Sequence, residues 1–196
     1  MLSTLITQPI AIIAPILLAT AAVMAEPPAI FVDLTVGQAA KKAQQENRLV
    51  LVDATAEWCG PCKMMDRTTW VDDKVVEWIN ANAIAVQFDV DHEAETAKRF
   101  QIRAMPTVIV LKDGKEFDRK VGYMDGPKLL DWLDQVKAGK SSLDILREKA
   151  GKRMDEDGNV NVQERYQMAG EFLNANAYEE ALDEYLWLWN NMVEFE

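Results

Sequence analysis

Two cysteines lie three residues apart in a chain of 196 residues that has no other thiol, and they enclose the dipeptide Gly60-Pro61. The thiolate is the reactive form of cysteine, and a helix N-terminus stabilises it because free N–H groups and the helix dipole favour negative charge. Pro61 suits a first helical turn, and Cys62 would face the same side as Cys59 one turn along. The motif predicts thiol–disulfide exchange, with Cys59 as the exposed nucleophile and Cys62 as the buried cysteine that releases the product.

Other uses of a cysteine pair need residues that this sequence does not supply. A disulfide framework needs more cysteines spread along the chain, and a zinc site needs two further ligands. The single histidine, His92, lies in the charged run Asp91-His92-Glu93, which is typical of solvated surface. We therefore expect no metal and no cofactor beyond a redox-active Cys59–Cys62 disulfide. An inert or structural cysteine pair remains the alternative.

Apolar and polar residues alternate along the chain in blocks that predict an α/β fold. The predicted helices cover about residues 36–47, 59–69, 72–80 and 93–100, with another beginning at Gly126-Pro127. The predicted strands are 49–52, 84–88, 107–111 and 116–121, and Asp113-Gly114 is a hairpin turn between the last two. Strands that alternate with helices and then form a hairpin predict a mixed sheet flanked by helices.

The segment from Asp53 to Met64, DATAEWCGPCKM, resembles the active-site segment of the thioredoxin family. Further matches follow in order at residues 88–91, 102–107, 112–114 and 121–122, so that the resemblance covers about residues 30–138. It implies the thioredoxin fold and a thiol–disulfide oxidoreductase that exchanges electrons with protein disulfides and an upstream donor. Residues 68–76 are also similar to thioredoxin-like domains of periplasmic reductants.

The resemblance also implies roles for individual residues. Pro106 matches the family's cis-proline, which faces the active-site disulfide, and the backbone of Met105 would pair with a bound substrate strand. Asp53 matches the buried carboxylate that accepts the Cys62 proton, since burial raises a carboxyl pKa. The predicted catalytic residues are Cys59, Cys62 and Asp53, and the predicted substrate-binding residues are Trp58, Gly60, Pro61, Met105 and Pro106.

Two positions depart from the family pattern. Gln87 stands where the family often has a buried lysine, and Arg67 stands near a proline that kinks the active-site helix. The first change removes the lysine that would adjust the pKa of Asp53 in the family. The alternative interpretation of Asp53 is a polar residue at a strand end.

Residues 1–25 contain no charged side chain and include an apolar run from Ile10 to Ala19. The small residues Val23 and Ala25 suit cleavage of a signal peptide before Glu26, which predicts a periplasmic or secreted protein. The region before the apolar run has no Lys or Arg, so two alternatives stay open. The segment is an uncleaved membrane anchor, or translation begins at Met24 and the protein is cytoplasmic.

The predicted domains are 26–140, the thioredoxin-like domain, and 141–196, a helical extension. Two helices are expected at about 163–175 and 178–190, and their spacing resembles one tetratricopeptide repeat. The repeat-like positions are Met168, Ala169, Phe172, Tyr178, Ala181, Tyr185 and Leu188. One such unit cannot bury its apolar face alone, which predicts packing on the domain, a protein partner or further repeats. The alternative is a generic amphipathic hairpin packed on the domain.

The formal net charge is −11, and residues 151–196 hold eleven acidic and three basic side chains. This balance excludes a basic surface that binds nucleic acid. The leading function is therefore a thiol–disulfide oxidoreductase. The alternative is a scaffold protein whose helical tail recruits partners and whose redox domain is secondary.

Overall fold

A four-stranded mixed sheet forms the centre of the fold. In the computed structural model, which describes residues 28–151 and 161–191, its strand order is β2-β1-β3-β4. Strand β1 pairs in parallel with β2 and antiparallel with β3, and β4 is antiparallel to β3. The strands are β1 (Leu49–Thr55), β2 (Ala83–Asp89), β3 (Thr107–Lys112) and β4 (Lys115–Val121). The predicted mixed sheet is confirmed.

Helices cover both faces of this sheet. They are α1 (Val36–Glu46), α2 (Gly60–Arg67), α3 (Asp73–Asn82), α4 (Ala94–Arg99), α5 (Gly126–Lys137), α6 (Ser142–Gly151), α7 (Val162–Asn174) and α8 (Tyr178–Asn191). Helix α1 begins where its sequence indicates, because the Thr35 hydroxyl accepts from the Gln38 N–H and the Gln38 side chain accepts from the Thr35 N–H.

The two faces of the sheet carry separate apolar layers. On one face, Leu51 and Val110 pack with Met65 of α2 and with apolar residues of α3 and α5, such as Ile79 and Leu133. On the other face, residues of α1 and the buried Phe100 pack on the remaining strand positions. The side chains of β1 alternate between the layers, which is why the apolar run that begins this strand is continuous.

The C-terminal region contains one helix more than the sequence analysis predicts. Helix α6 lies between the redox region and the two expected helices, and its Leu146 and Ala150 pack with Met168 and Phe172 of α7. The two expected helices are present, and the additional helix α6 covers part of their apolar face. Leucine and alanine at the helical spacing 143, 146 and 150 give this segment an apolar side that the sequence analysis does not use.

Asp118 of β4 links the start of α6 to the redox region through hydrogen bonds. Its Oδ2 accepts hydrogen bonds from the Ser142 N–H, the Ser142 hydroxyl and the Trp132 indole N–H, at 2.8, 2.8 and 2.7 Å. All three residues are buried. These contacts cross the predicted boundary at residues 140 and 141, and the two-domain division remains a prediction.

Helices α7 and α8 form a hairpin held by a buried ion pair. Arg165 Nε donates to Glu184 Oε2 at 2.7 Å, and their side chains are only 5% and 1% exposed. The Arg165 guanidinium also lies 3.7 Å from the centre of the Trp187 ring. None of the helices in the described residues is long and apolar enough to cross a membrane. The predicted signal segment, residues 1–25, lies outside the described residues.

Candidate active site

The two cysteines form a disulfide at the N-terminus of α2. Cys59 is the N-cap residue of this helix, and its Sγ accepts a hydrogen bond of 3.2 Å from the Cys62 N–H. Pro61 occupies the first helical turn, where a missing N–H leaves no helical bond unmade. The sequence thus places a sulfur atom among the free N–H groups of a helix start, which stabilises a thiolate at the same position.

Both sulfur-bearing residues are buried in this disulfide form. Cys59 is 4% exposed and Cys62 is 1% exposed, and both pack with Ala56 and the partly buried Val90 and Met105. The prediction of a buried Cys62 is confirmed, whereas the prediction of an exposed Cys59 is wrong for this form. In this form the Cys59 sulfur is bonded to Cys62 and packs in the same apolar cluster.

The surface next to the disulfide is open. Trp58 is 68% exposed, and its indole N–H donates to Asp91 Oδ2 at 2.7 Å. A Cβ atom added at Gly60 would meet no heavy atom within 4 Å, so no side chain of the described residues fills the space beside the motif. Pro61 is also exposed. These three residues border the disulfide, as their sequence positions require.

Met105 packs on the cysteine cluster, and Pro106 follows it in the chain. Their peptide bond is cis, as the resemblance implies, and Pro106 is buried at the start of β3. The Pro106 carbonyl accepts from the Gly122 N–H at 2.8 Å, and the Thr107 hydroxyl donates to the Ala104 carbonyl at 2.7 Å. The loop that carries Met105 is therefore tied to β4 and to itself, while Met105 contacts the cysteine cluster.

Asp53 is a buried carboxyl group within β1. It is 1% exposed, and its Oδ2 accepts a hydrogen bond of 2.9 Å from Gln87 Nε2, which is its direct neighbour in the β1–β2 register. Its Oδ1 is buried and has no hydrogen-bond partner among the described residues. Burial raises the pKa of Asp53 to about 7, against the lowering effects of the Gln87 hydrogen bond and of the nearby Trp70 side chain. Asp53 lies inside the strand and not at its end, and its catalytic role remains a prediction.

Asp66 is a second acidic residue of this site, and it is not among the residues predicted from the sequence. Gln87 Nε2 donates to Asp66 Oδ1 at 3.1 Å as well as to Asp53, so one amide bridges two carboxyl groups. Asp66 lies one turn beyond Cys62 on α2, and partial burial raises its pKa above the ordinary value. Its charge also raises the pKa of Asp53. The i, i+4 spacing from Cys62 is the pattern that points to it.

The site can exchange electrons without a metal ligand set. Within the described ranges, no group of three or more His, Cys, Asp or Glu side chains is arranged to hold a metal ion. His92 is largely exposed and lies 3.8 Å from Asp89. A reversible disulfide, a buried carboxyl group with a pKa near neutrality and an adjacent open surface are the parts that thiol–disulfide exchange uses.

Comparison with known proteins identifies the family. A family model described as a thioredoxin-like domain matches residues 36–137. The chain belongs to the thioredoxin-like family.

Individual relatives cover the same part of the chain. The thioredoxin of Rickettsia conorii is 33% identical over 95 residues, which are 48% of this chain and 88% of that protein. The thioredoxin of Chlamydia caviae is 38% identical over 90 residues, or 44% of this chain and 81% of that protein. The solution structure of a thioredoxin from Thermus thermophilus aligns with a TM-score of 0.47 at 28% identity, over 51% of this chain and 82% of that one.

This thioredoxin-like protein is a thiol–disulfide oxidoreductase, since it combines family membership with a disulfide across the Cys59–Cys62 motif. Thioredoxin-like proteins act on protein disulfides. The matched segment ends at residue 137, so α6, α7 and α8 lie beyond it.

Proposed function

We propose that this protein acts on protein disulfides outside the cytoplasm, as a reductant or as a relay of electrons. Cys59 is the attacking residue. The observation that carries the assignment is the hydrogen bond from the Cys62 N–H to the Cys59 sulfur at the start of α2. A thiolate at Cys59 would accept the same bond, whereas a thiolate at Cys62 would lie inside the helix and deeper in the apolar cluster.

Two displacement steps complete the exchange. The Cys59 thiolate attacks one sulfur of the substrate disulfide, which forms a mixed disulfide and releases the other substrate sulfur as a thiolate. Cys62 then loses its proton and attacks the Cys59 sulfur, which forms the Cys59–Cys62 disulfide and releases the second substrate sulfur. Two electrons pass to the substrate, and a dithiol donor returns them to the protein.

Asp53 is the proposed acceptor of the Cys62 proton. A general base works best when its pKa is close to the working pH, and the pKa of Asp53 is raised to about 7. Oδ2 keeps the Gln87 bond while the buried Oδ1 takes the proton.

The proposed substrate surface lies on both sides of the disulfide. The exposed Trp58, Gly60 and Pro61 form one border, and the backbone of Met105 next to Pro106 forms the other. The open space at Gly60 allows a substrate chain to approach the Cys59 sulfur closely. A main-chain pairing at Met105 would orient an extended substrate segment without reading its sequence.

Insulin reduction tests the assignment of the nucleophile. With a small dithiol as donor, the wild-type protein should accelerate the precipitation of reduced insulin, and Cys59→Ser should reduce the rate to that of the dithiol alone. Full activity of Cys59→Ser would refute the assigned nucleophile.

The proposed compartment rests on the apolar segment before the described residues. Its small residues Val23 and Ala25 suit cleavage before Glu26, which would place the mature protein in the periplasm or outside the cell. N-terminal sequencing of protein from the native host should begin near Glu26. Retention of Leu2 would contradict cleavage, and cytoplasmic protein that starts at Met24 would contradict export.

The scaffold function remains the alternative, and exposed apolar residues of α8 favour it. Leu182, Leu186 and Trp189 are all exposed on this helix. The one tetratricopeptide-like repeat that we propose here would present such a surface to a protein partner. A scaffold would keep its cellular function in a Cys59→Ser strain, whereas an oxidoreductase would lose it.

A further inference from the structure

The C-terminal hairpin contacts the loop that carries Met105. Tyr178, the first residue of α8, lies under the Arg103 guanidinium, whose Cζ is 4.8 Å from the centre of the ring. The Tyr178 hydroxyl lies 2.6 Å from Asn176 Oδ1 and 3.2 Å from Gln101 Oε1. The helical extension therefore meets the redox region two to four residues before Met105.

A cavity of about 170 Å³ separates the two surfaces at this contact. Residues on both sides of the Met105-Pro106 peptide line it, namely Arg103 and Ala104 before the bond and Thr107 after it. Asn174 and Asn176 of the hairpin line the opposite wall. The space is about the size of one side chain, and it borders the loop proposed to pair with substrate.

The lining of this cavity favours a negatively charged group. It contains Arg103 and Arg119 and no acidic residue, although the chain as a whole carries a net charge of −11. Arg119 is already bonded to Glu116 and to the Phe100 carbonyl. Arg103 is exposed and forms no ion pair within the described residues, so its charge is available to an incoming carboxylate.

Two further contacts prepare the cavity for a carboxylate. The Tyr178 ring holds the Arg103 guanidinium in place, which lowers the entropy lost when that side chain binds a ligand. The Tyr178 hydroxyl donates to Asn176 Oδ1, which leaves the N–H₂ group of the same amide for another acceptor.

We propose that this cavity binds an Asp or Glu side chain of the substrate protein close to the cysteine under attack. The proposal rests on the proposed function, because it requires an extended substrate segment along Met105. It makes the helical extension part of the substrate-binding surface, and it names the substrate class as disulfides flanked by an acidic residue.

Paired disulfide peptides test the proposal. Each pair differs only by Glu or Gln at one of the three positions on either side of the reacting cysteine. For at least one position, kcat/KM of the wild type should be about two- to fivefold higher for the Glu peptide, through a lower KM. Arg103→Gln should bring this ratio to one, and Tyr178→Leu should bring it close to one. Tyr178→Phe keeps the ring but loses the bond to Asn176, and it should keep most of the preference.

Arg99→Gln is the matched control, because it removes an equal charge from an exposed arginine that also lies over an aromatic ring. It should keep the preference. Equal rates for Glu and Gln at every position, or an unchanged ratio in Arg103→Gln, would overturn the inference and leave the proposed function standing. Reduction of the Gln peptides by Cys59→Ser would instead overturn the proposed function.

Discussion

Gln87 donates a hydrogen bond of 2.9 Å to Asp53 across the parallel β1–β2 pair, inside the protein and beneath the redox helix. The same amide nitrogen donates to Asp66 at 3.1 Å, and Asp66 lies one turn beyond Cys62. Burial raises the pKa of both carboxyl groups above their ordinary values, and the hydrogen bond from Gln87 offsets only part of that rise. The pKa of Asp53 is therefore the property of this site that substitutions should change most clearly.

Asp53 should make the stability of the oxidised protein depend on pH. Its pKa in the folded state, about 7, is higher than the ordinary 3.8 of an unfolded chain. The folded state therefore holds one more proton between these values, and the stabilisation from it is lost as pH rises toward 7. The unfolding free energy of the wild type should therefore decline between about pH 5 and about pH 8. We expect this decline to be smaller by about 2–3 kcal/mol in Asp53→Asn.

Urea unfolding of the oxidised wild type and of Asp53→Asn at the two pH values gives this difference directly. Glu57→Gln removes an equal charge from an exposed position beside the motif and should leave the wild-type decline in place. An equal decline in the wild type and in Asp53→Asn would mean that Asp53 is ionised throughout this range.

Asp66 and Gln87 should shift the ionisation of Asp53 in opposite directions. The negative charge of Asp66 raises the pKa of Asp53, so Asp66→Asn should lower it. The Gln87 hydrogen bond lowers the pKa of Asp53, so Gln87→Met, of similar size, should raise it. Titration of the Asp53 carboxyl carbon by NMR in the oxidised protein measures both shifts, and shifts of the same sign would contradict the bridged arrangement.

The buried pair Arg165–Glu184 should hold the C-terminal hairpin together. Glu184→Leu leaves the Arg165 guanidinium buried without this carboxylate, which should lower the opening free energy of α7 and α8 by about 3–5 kcal/mol. The double substitution Arg165→Met with Glu184→Leu replaces charge by apolar volume and should cost less than the single one.

Hydrogen exchange of the α7 and α8 amides measures these costs separately from the redox region. The more exposed pair Arg147–Glu180 serves as the control, and Glu180→Leu should cost less than about 1 kcal/mol. A single Glu184→Leu substitution that is no more costly than Glu180→Leu would show that the buried pair does not stabilise the hairpin.

The sequence predicts the sheet, the order of the elements up to α5 and the position of the redox motif. These features follow from local patterns that each have a physical explanation. The patterns are the Thr35 capping box, the apolar run that begins β1 and the Gly60-Pro61 helix start. The role of Pro106 comes instead from family resemblance, because no local pattern of the chain indicates a cis bond.

Features that depend on contacts between distant elements escape the sequence analysis. The spacing from Cys62 indicates only which side of α2 carries Asp66, whereas its hydrogen bond with Gln87 depends on β2 lying next to that helix. Cys59 is buried because the disulfide and Met105 cover it, which a sequence cannot show for one oxidation state. The contact between Tyr178 and Arg103 joins residues 75 positions apart, and it depends on the unpredicted helix α6 between them.

Trapping of the mixed disulfide tests the central claim that Cys59 attacks and Cys62 resolves. Reduced Cys62→Ser protein should react with a disulfide-bonded substrate to give a stable covalent complex, because the step that releases the product is removed. Peptide mapping of this complex by mass spectrometry should find the substrate cysteine joined to Cys59, and Cys59→Ser should give no comparable complex. A failure of Cys62→Ser to accumulate a Cys59-linked complex, together with a stable Cys62-linked complex in Cys59→Ser, would contradict the account.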